Sequence, residues 1–184
     1  MNKWLNKLEK KIGRYAIPNL TMYLIGAYII GYGIQLFLPD LYQWIMLNPV
    51  YILGGQVWRV ISWVLVPPSG NPLTIIIMLI FYYSVGTSLE RSWGTFRYNV
   101  YMFSGILFTV VGSFVLYAYY ALTVRDSTVV FITVTASCMF FSTFYINMSI
   151  FLAYAAMFPD MEVMFYFILP IKVKWLGIAY AVIL

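Results

Sequence analysis

The chain has 184 residues, 63% of them hydrophobic and 9% charged, with a mean hydropathy of +0.86. A soluble domain carries about 25% charged residues, so too little polar surface is available here to cover a water-soluble globule, and the chain is expected in a membrane. The formal charge of +5 sits beside hydrophobic segments, an arrangement that sets topology and argues against a nucleic-acid surface; histidine is absent and Cys138 is the single cysteine, which removes an intramolecular disulfide, a metal cluster and the commonest general base.

Met1 to Tyr15 is amphipathic, with Trp4, Leu5, Leu8, Ile12 and Tyr15 at helical spacing and Lys3, Lys7, Lys10, Lys11 and Arg14 around the rest of the wheel. Residues 1–17 are therefore expected as a cytoplasmic helix lying in the interface, its lysines against anionic lipid. Residues 18–184 form the transmembrane domain. Pro18 is expected to open the first span, since proline at the first helical position forfeits no hydrogen bond. Leu20 to Leu38 is free of charge and long enough to cross, with Gly26, Gly31 and Gly33 as a small-residue face, and Pro39-Asp40 ends it.

Leu41 to Val66 is hydrophobic and aromatic, yet broken by Asn48-Pro49, Gly54-Gly55 and Arg59. Such a connection is expected to lie partly within the membrane surface, with short helices to satisfy its backbone and with Trp44, Tyr51, Trp58 and Trp63 at interfacial depth. Leu73 to Leu89 is the second span and Tyr98 to about Leu122 the third, joined by a polar turn around Glu90, Arg91, Gly94 and Arg97. Ser127 to Phe158 exceeds one span, so its first residues are expected as a loop or entry turn and the fourth helix as Ala136 to Met157. Val163 to Ile171 reads as an extended surface segment. The run from Trp175 stops at Leu184, too short to cross, which favours a truncated fifth helix over a half-inserted end. With a cytoplasmic N-terminus, the inner side holds Lys3, Lys7, Lys10, Lys11, Arg14, Arg91, Arg97, Lys172 and Lys174, and the outer side only Arg59 and Arg125.

Two polar signatures flank the second span: Gln56-Val57-Trp58-Arg59-Val60-Ile61 and Gly86-Thr87-Ser88-Leu89-Glu90-Arg91-Ser92-Trp93-Gly94. Their spacing, with a fourth span ending Phe158-Pro159-Asp160, resembles the rhomboid superfamily of intramembrane serine proteases and inactive relatives such as derlins, over roughly Leu20 to Leu184. The resemblance implies an all-α rhomboid-like bundle: four complete transmembrane helices and the start of a fifth, with a membrane-embedded first outer loop. Read from the residues alone, Trp58 and Arg59 can lock that loop, Glu90 and Arg91 can cap and pair at the end of the second span, and Gly94 permits a tight turn.

Active rhomboids carry a Gly-x-Ser-Gly in the fourth helix, a histidine in the sixth, and His and Asn oxyanion donors on the second. The oxyanion-equivalent positions here fall on Thr74 and Met78, and methionine donates no hydrogen bond. Gly-x-Ser-Gly is absent; its nearest relic is Thr135-Ala136-Ser137-Cys138, leaving Ser137 as a weak nucleophile candidate without an activating base. Ser137 and Asn147 are also candidates to face a polar cavity, against the plainer expectation that the hydroxyls and amides of this region bond between helices.

The expected function is therefore that of an inactive relative, a pseudoprotease binding membrane lipids and transmembrane segments of client proteins, without cofactor, metal or nucleic acid. A protease with its base histidine beyond residue 184 and a lipid or small-molecule transporter are the alternatives. A bacterial plasma membrane is the expected location.

Overall fold

A computed structural model describes residues 3–68, 72–138, 141–165 and 169–172, with Trp175 and Ile178. Among these residues the fold is helical apart from one antiparallel ribbon. Helix α1 covers Lys3–Ile12 and runs into a 3₁₀ turn at Gly13–Tyr15. Helix α2 covers Leu20–Phe37, about 27 Å at 1.5 Å per residue. Pro18 does not open it. Asn19, just before the first helical residue, is left-handed (φ 55, ψ 40), a conformation that a continuing right-handed helix excludes, so α2 starts after it.

The interrupted stretch that follows folds as a chain of short helices: α3 (Pro39–Ile45), α4 (Pro49–Leu53), α5 (Arg59–Ser62) and a 3₁₀ turn at Trp63–Leu65. Each break has a local cause. Pro39 and Pro49 each open a helix, and the Asn48 side chain accepts the Val50 N–H at 3.0 Å as an N-cap. Gly55 (φ 102) then turns the chain towards α5.

Helix α6 spans Pro72–Trp93 and α7 spans Thr95–Thr123, about 33 Å and 43 Å long. The expected polar turn at residues 90–97 shrinks to Gly94 (φ 83); Glu90 and Arg91 remain in the last turns of α6 and Arg97 joins α7. The region after Arg125 also departs from expectation. Asp126 accepts the Thr128 N–H at 2.8 Å and starts α8 (Ser127–Ser137) where a loop was expected. A separate helix, α9, covers Thr143–Met157, so no continuous helix runs from Ala136. Thr143 fixes the new start, its hydroxyl donating to the Val66 carbonyl at 2.6 Å. Thr133, Thr135 and Ser137 thus lie on α8, while Thr143, Asn147 and Ser149 lie on α9.

The expected extended segment is a ribbon, β1 (Glu162–Phe165) pairing antiparallel with β2 (Leu169–Lys172), Glu162 opposite Lys172. Lys174 and, apart from Trp175 and Ile178, the expected fifth helix lie outside the described residues.

Among the described residues, α2 and α7 are the two helices long and apolar enough to cross a membrane by length and composition. The main core gathers Leu20, Trp63, Leu89, Tyr98, Met102 and Phe151 from α2, the 3₁₀ turn, α6, α7 and α9. Large apolar side chains such as Phe37, Phe108 and Leu122 remain exposed, an outward surface suited to lipid as solvent.

Candidate functional site

The loop between α2 and α6 is organised by Arg59, only 4% exposed. Its Nη1 donates to the carbonyls of Gln43 (2.8 Å) and Met46 (2.9 Å), and its Nε to Gln56 Oε1 (2.6 Å). The guanidinium also lies 4.7 Å over the Tyr51 ring. Those carbonyls end α3, where no helical partner remains, so one planar, five-donor group closes α3, α4 and α5 into a knot. Burial lowers the Arg59 pKa from its ordinary value, with Tyr51 opposing.

Trp58 stacks on Trp44 with ring centroids 6.4 Å apart and planes 7° from parallel, and its indole N–H donates to the Trp44 carbonyl at 3.3 Å. Both rings are exposed, as an interfacial pair should be. Trp63 is not. It is 1% exposed, with its indole on the Val60 carbonyl, because the loop's last turn plunges onto α2. That approach is possible only at Gly31, where an added Cβ would stand 1.7 Å from the Leu65 carbonyl oxygen.

At the opposite end of α2, the chain's N-terminal segment is clasped to the α6–α7 elbow. Glu90, 8% exposed, accepts the Asn19 N–H at 2.8 Å through Oε1. It therefore holds the left-handed turn before α2 instead of capping its own helix or pairing with Arg91, which is exposed. Asn99 accepts the Ile17 N–H (2.9 Å) and donates to the Ile17 carbonyl (2.9 Å) and the Thr95 carbonyl (2.8 Å). Thr21 and Tyr98 share a buried hydroxyl hydrogen bond of 2.8 Å, tight against Gly86, where a Cβ would fall 2.6 Å from Thr21 Oγ1. Arg97 ties down α1, donating to Asn6 Oδ1 at 2.9 Å and lying 3.8 Å from Glu9. The Trp93 indole donates to the Met157 sulfur, bringing α9 to the same end.

The positions singled out for chemistry lie on three different helices. Thr74 is exposed and Met78 half-buried on α6, which packs on α2, α7 and α9. Ser137 is half-buried near the end of α8, which packs on α7 and α4. Asn147, 2% exposed on α9, donates through Nδ2 to the Tyr28 hydroxyl of α2 at 3.0 Å. Its amide thus joins α9 to α2. Among the described residues no group of three or more His, Cys, Asp or Glu could hold a metal.

Sequence reading missed Asn99, Thr21 and Tyr98 as positioning residues, and although Gly31 was expected on a small-residue face and Gly86 stood in the second signature, neither was assigned the contact it makes. An amide at position 99, one turn into a hydrophobic segment, was a usable signal, because an unpaired amide there is costly. The glycines gave no local sign of which backbone or side chain would approach them.

A family model described as eukaryotic integral membrane protein (DUF1751) matches residues 20–184. No curated protein and no solved structure matches the chain.

Proposed function

Because the chain belongs to the eukaryotic integral membrane protein family DUF1751, we propose that it is a non-catalytic, rhomboid-like scaffold that binds transmembrane segments of client proteins. The family's description leaves a bacterial plasma membrane without support. In this reading α2, α6, α7 and the broken α8–α9 pair form the four-span bundle, and the Arg59 loop is the embedded outer connection.

One observation carries the binding reading. The outward face of α2 exposes Tyr23, Ile29, Ile30 and Phe37 around Gly26 and Gly33, and a Cβ at either glycine would meet nothing within 4 Å. The two glycines are seven residues apart, hence on one stripe of the helix. Lipid offers no hydrophobic force between helices, so association depends on close backbone approach at small residues. Gly31, by contrast, is filled from inside by the Leu65 backbone. The missing hydrogen-bond donor at Met78 supports the non-catalytic part of the reading.

A photoreactive residue in place of Ile30 tests this in membranes. Cross-links to other membrane proteins are expected in an otherwise unaltered chain and should fall at least about fivefold in Gly26→Leu and Gly33→Leu, both of which should remain folded. Equal cross-linking in wild type and both variants would refute the site. Cleavage of a membrane substrate that depends on Ser137 would refute the non-catalytic reading.

A further inference from the structure

A second lateral feature lies between α2 and α6. It is an apolar groove of about 440 Å³, walled by Met22, Ile25 and Ile29 of α2 and Ile76, Ile80 and Tyr83 of α6, with no polar atom in its accessible lining. We propose that this groove seats an acyl chain of an anionic glycerophospholipid whose phosphate is held by Arg91.

Arg91 follows Ile80 on α6 by eleven residues, three helical turns, so it lies within about 20° of the same face. The axial rise between them is about 16 Å, close to the half-thickness of a hydrocarbon core about 30 Å deep. A chain reaching Ile80 from the headgroup level of one leaflet therefore starts at Arg91. Arg91 is exposed and makes no hydrogen bond or ion pair among the described residues, unlike Arg59 and Arg97. A cation at headgroup depth without a protein partner complements a lipid phosphate.

The wall composition selects among occupants. The groove is lined by Met, Ile, Leu and Tyr, with no glycine or other small residue to let a helix backbone approach. A flexible acyl chain needs no such small residues. A cation near headgroup depth and an apolar wall from Ile76 to Tyr83 farther into the hydrocarbon describe one lipid of one leaflet. This inference shares Ile29 with the face of α2 used in the client-binding reading, while the α6 wall and Arg91 belong to it alone.

The test uses the full chain in bilayer nanodiscs of phosphatidylcholine, alone or doped with phosphatidylserine, with co-purifying lipid measured by native mass spectrometry. Wild type should retain phosphatidylserine over phosphatidylcholine. Arg91→Gln should lower that preference by about fivefold, the worth of one cation near an anionic surface, while Arg125→Gln leaves it unchanged. Ile80→Trp, which fills the groove, should reduce retention of both lipids; its thermal unfolding, compared with wild type, shows that the fold persists. A preference unchanged by Arg91→Gln, or retention unchanged in a folded Ile80→Trp chain, would overturn the proposal. A photoreactive residue replacing Leu79 that links to protein and not to lipid would overturn it as well.

Discussion

At the scale of single residues, the chain's glycines divide by what lies above them. Gly31 receives the Leu65 carbonyl at a distance no Cβ can tolerate, and the intruding atom is backbone held by its neighbours: the Trp63 ring is buried and the next carbonyl, that of Val66, is bonded to Thr143. Gly26, five residues earlier on the same helix, has open space. Gly31→Ala should therefore cost about 3 kcal/mol or more, the upper range for overpacking into a region that cannot yield. Gly26→Ala should be neutral or gain up to about 1 kcal/mol, the difference in helix propensity. Thermal unfolding of the two variants in one detergent checks the contrast; equal midpoints would mean that the loop does not press on α2.

Among the elements, hydrogen bonds to backbone decide where helices start and how they are joined. The clasp at the α6–α7 elbow has its centre in Asn99, whose side chain serves both backbone groups of Ile17. Asn99→Ala would remove both hydrogen bonds to the partly exposed Ile17 backbone, at about 0.5–1.5 kcal/mol each. The loss should be local, because α2 is still held by Glu90 on Asn19 and by the Thr21–Tyr98 pair. Trypsin cleavage after Arg14 should accelerate by about tenfold or more, with little change in global unfolding; an unchanged cleavage rate would show that Ile17 does not need Asn99. Such long-range pairings explain what the sequence disclosed and what it withheld. The extents of α2, α6 and α7, the short helices of the loop and the extended backbone of β1 and β2 follow from apolar run length and from proline and glycine positions, all local. Arg59 was legible as a carbonyl donor because a lone cation in an apolar loop has few other uses. The partner of Glu90 was not, since it lies 71 residues away in a turn whose left-handed residue is an asparagine. The split of α8 from α9 was hidden too: the segment is charge-free and apolar on both sides of the break, and what fixes the start of α9 is the carbonyl of Val66, 77 residues earlier.

Taken as a whole, the molecule carries its two polar assemblies at opposite ends of α2, and its charges follow them. The clasp end gathers α1 with Lys7, Lys10 and Lys11, the elbow with Arg97, and Arg91 at the foot of α6; the loop end holds Arg59. On α1 the three lysines point outward, while Glu9, the one acid, is turned to Arg97. The exposed charges of α1 are thus mostly basic, and a basic face one short turn from a span is retained on the cytoplasmic side of a membrane. The clasp end should accordingly be cytoplasmic and the Arg59 loop should face the other compartment. Cys138, the single cysteine, is buried; with Cys138→Ser as background, Lys10→Cys and Val57→Cys place one thiol at each exposed end. In sealed vesicles with the cytoplasmic surface outward, a membrane-impermeant maleimide should label position 10 at once and position 57 only after permeabilisation. The reverse order would invert the molecule. It would also put the bare guanidinium of Arg91 against the leaflet poorer in anionic lipid, where it would have much less to hold.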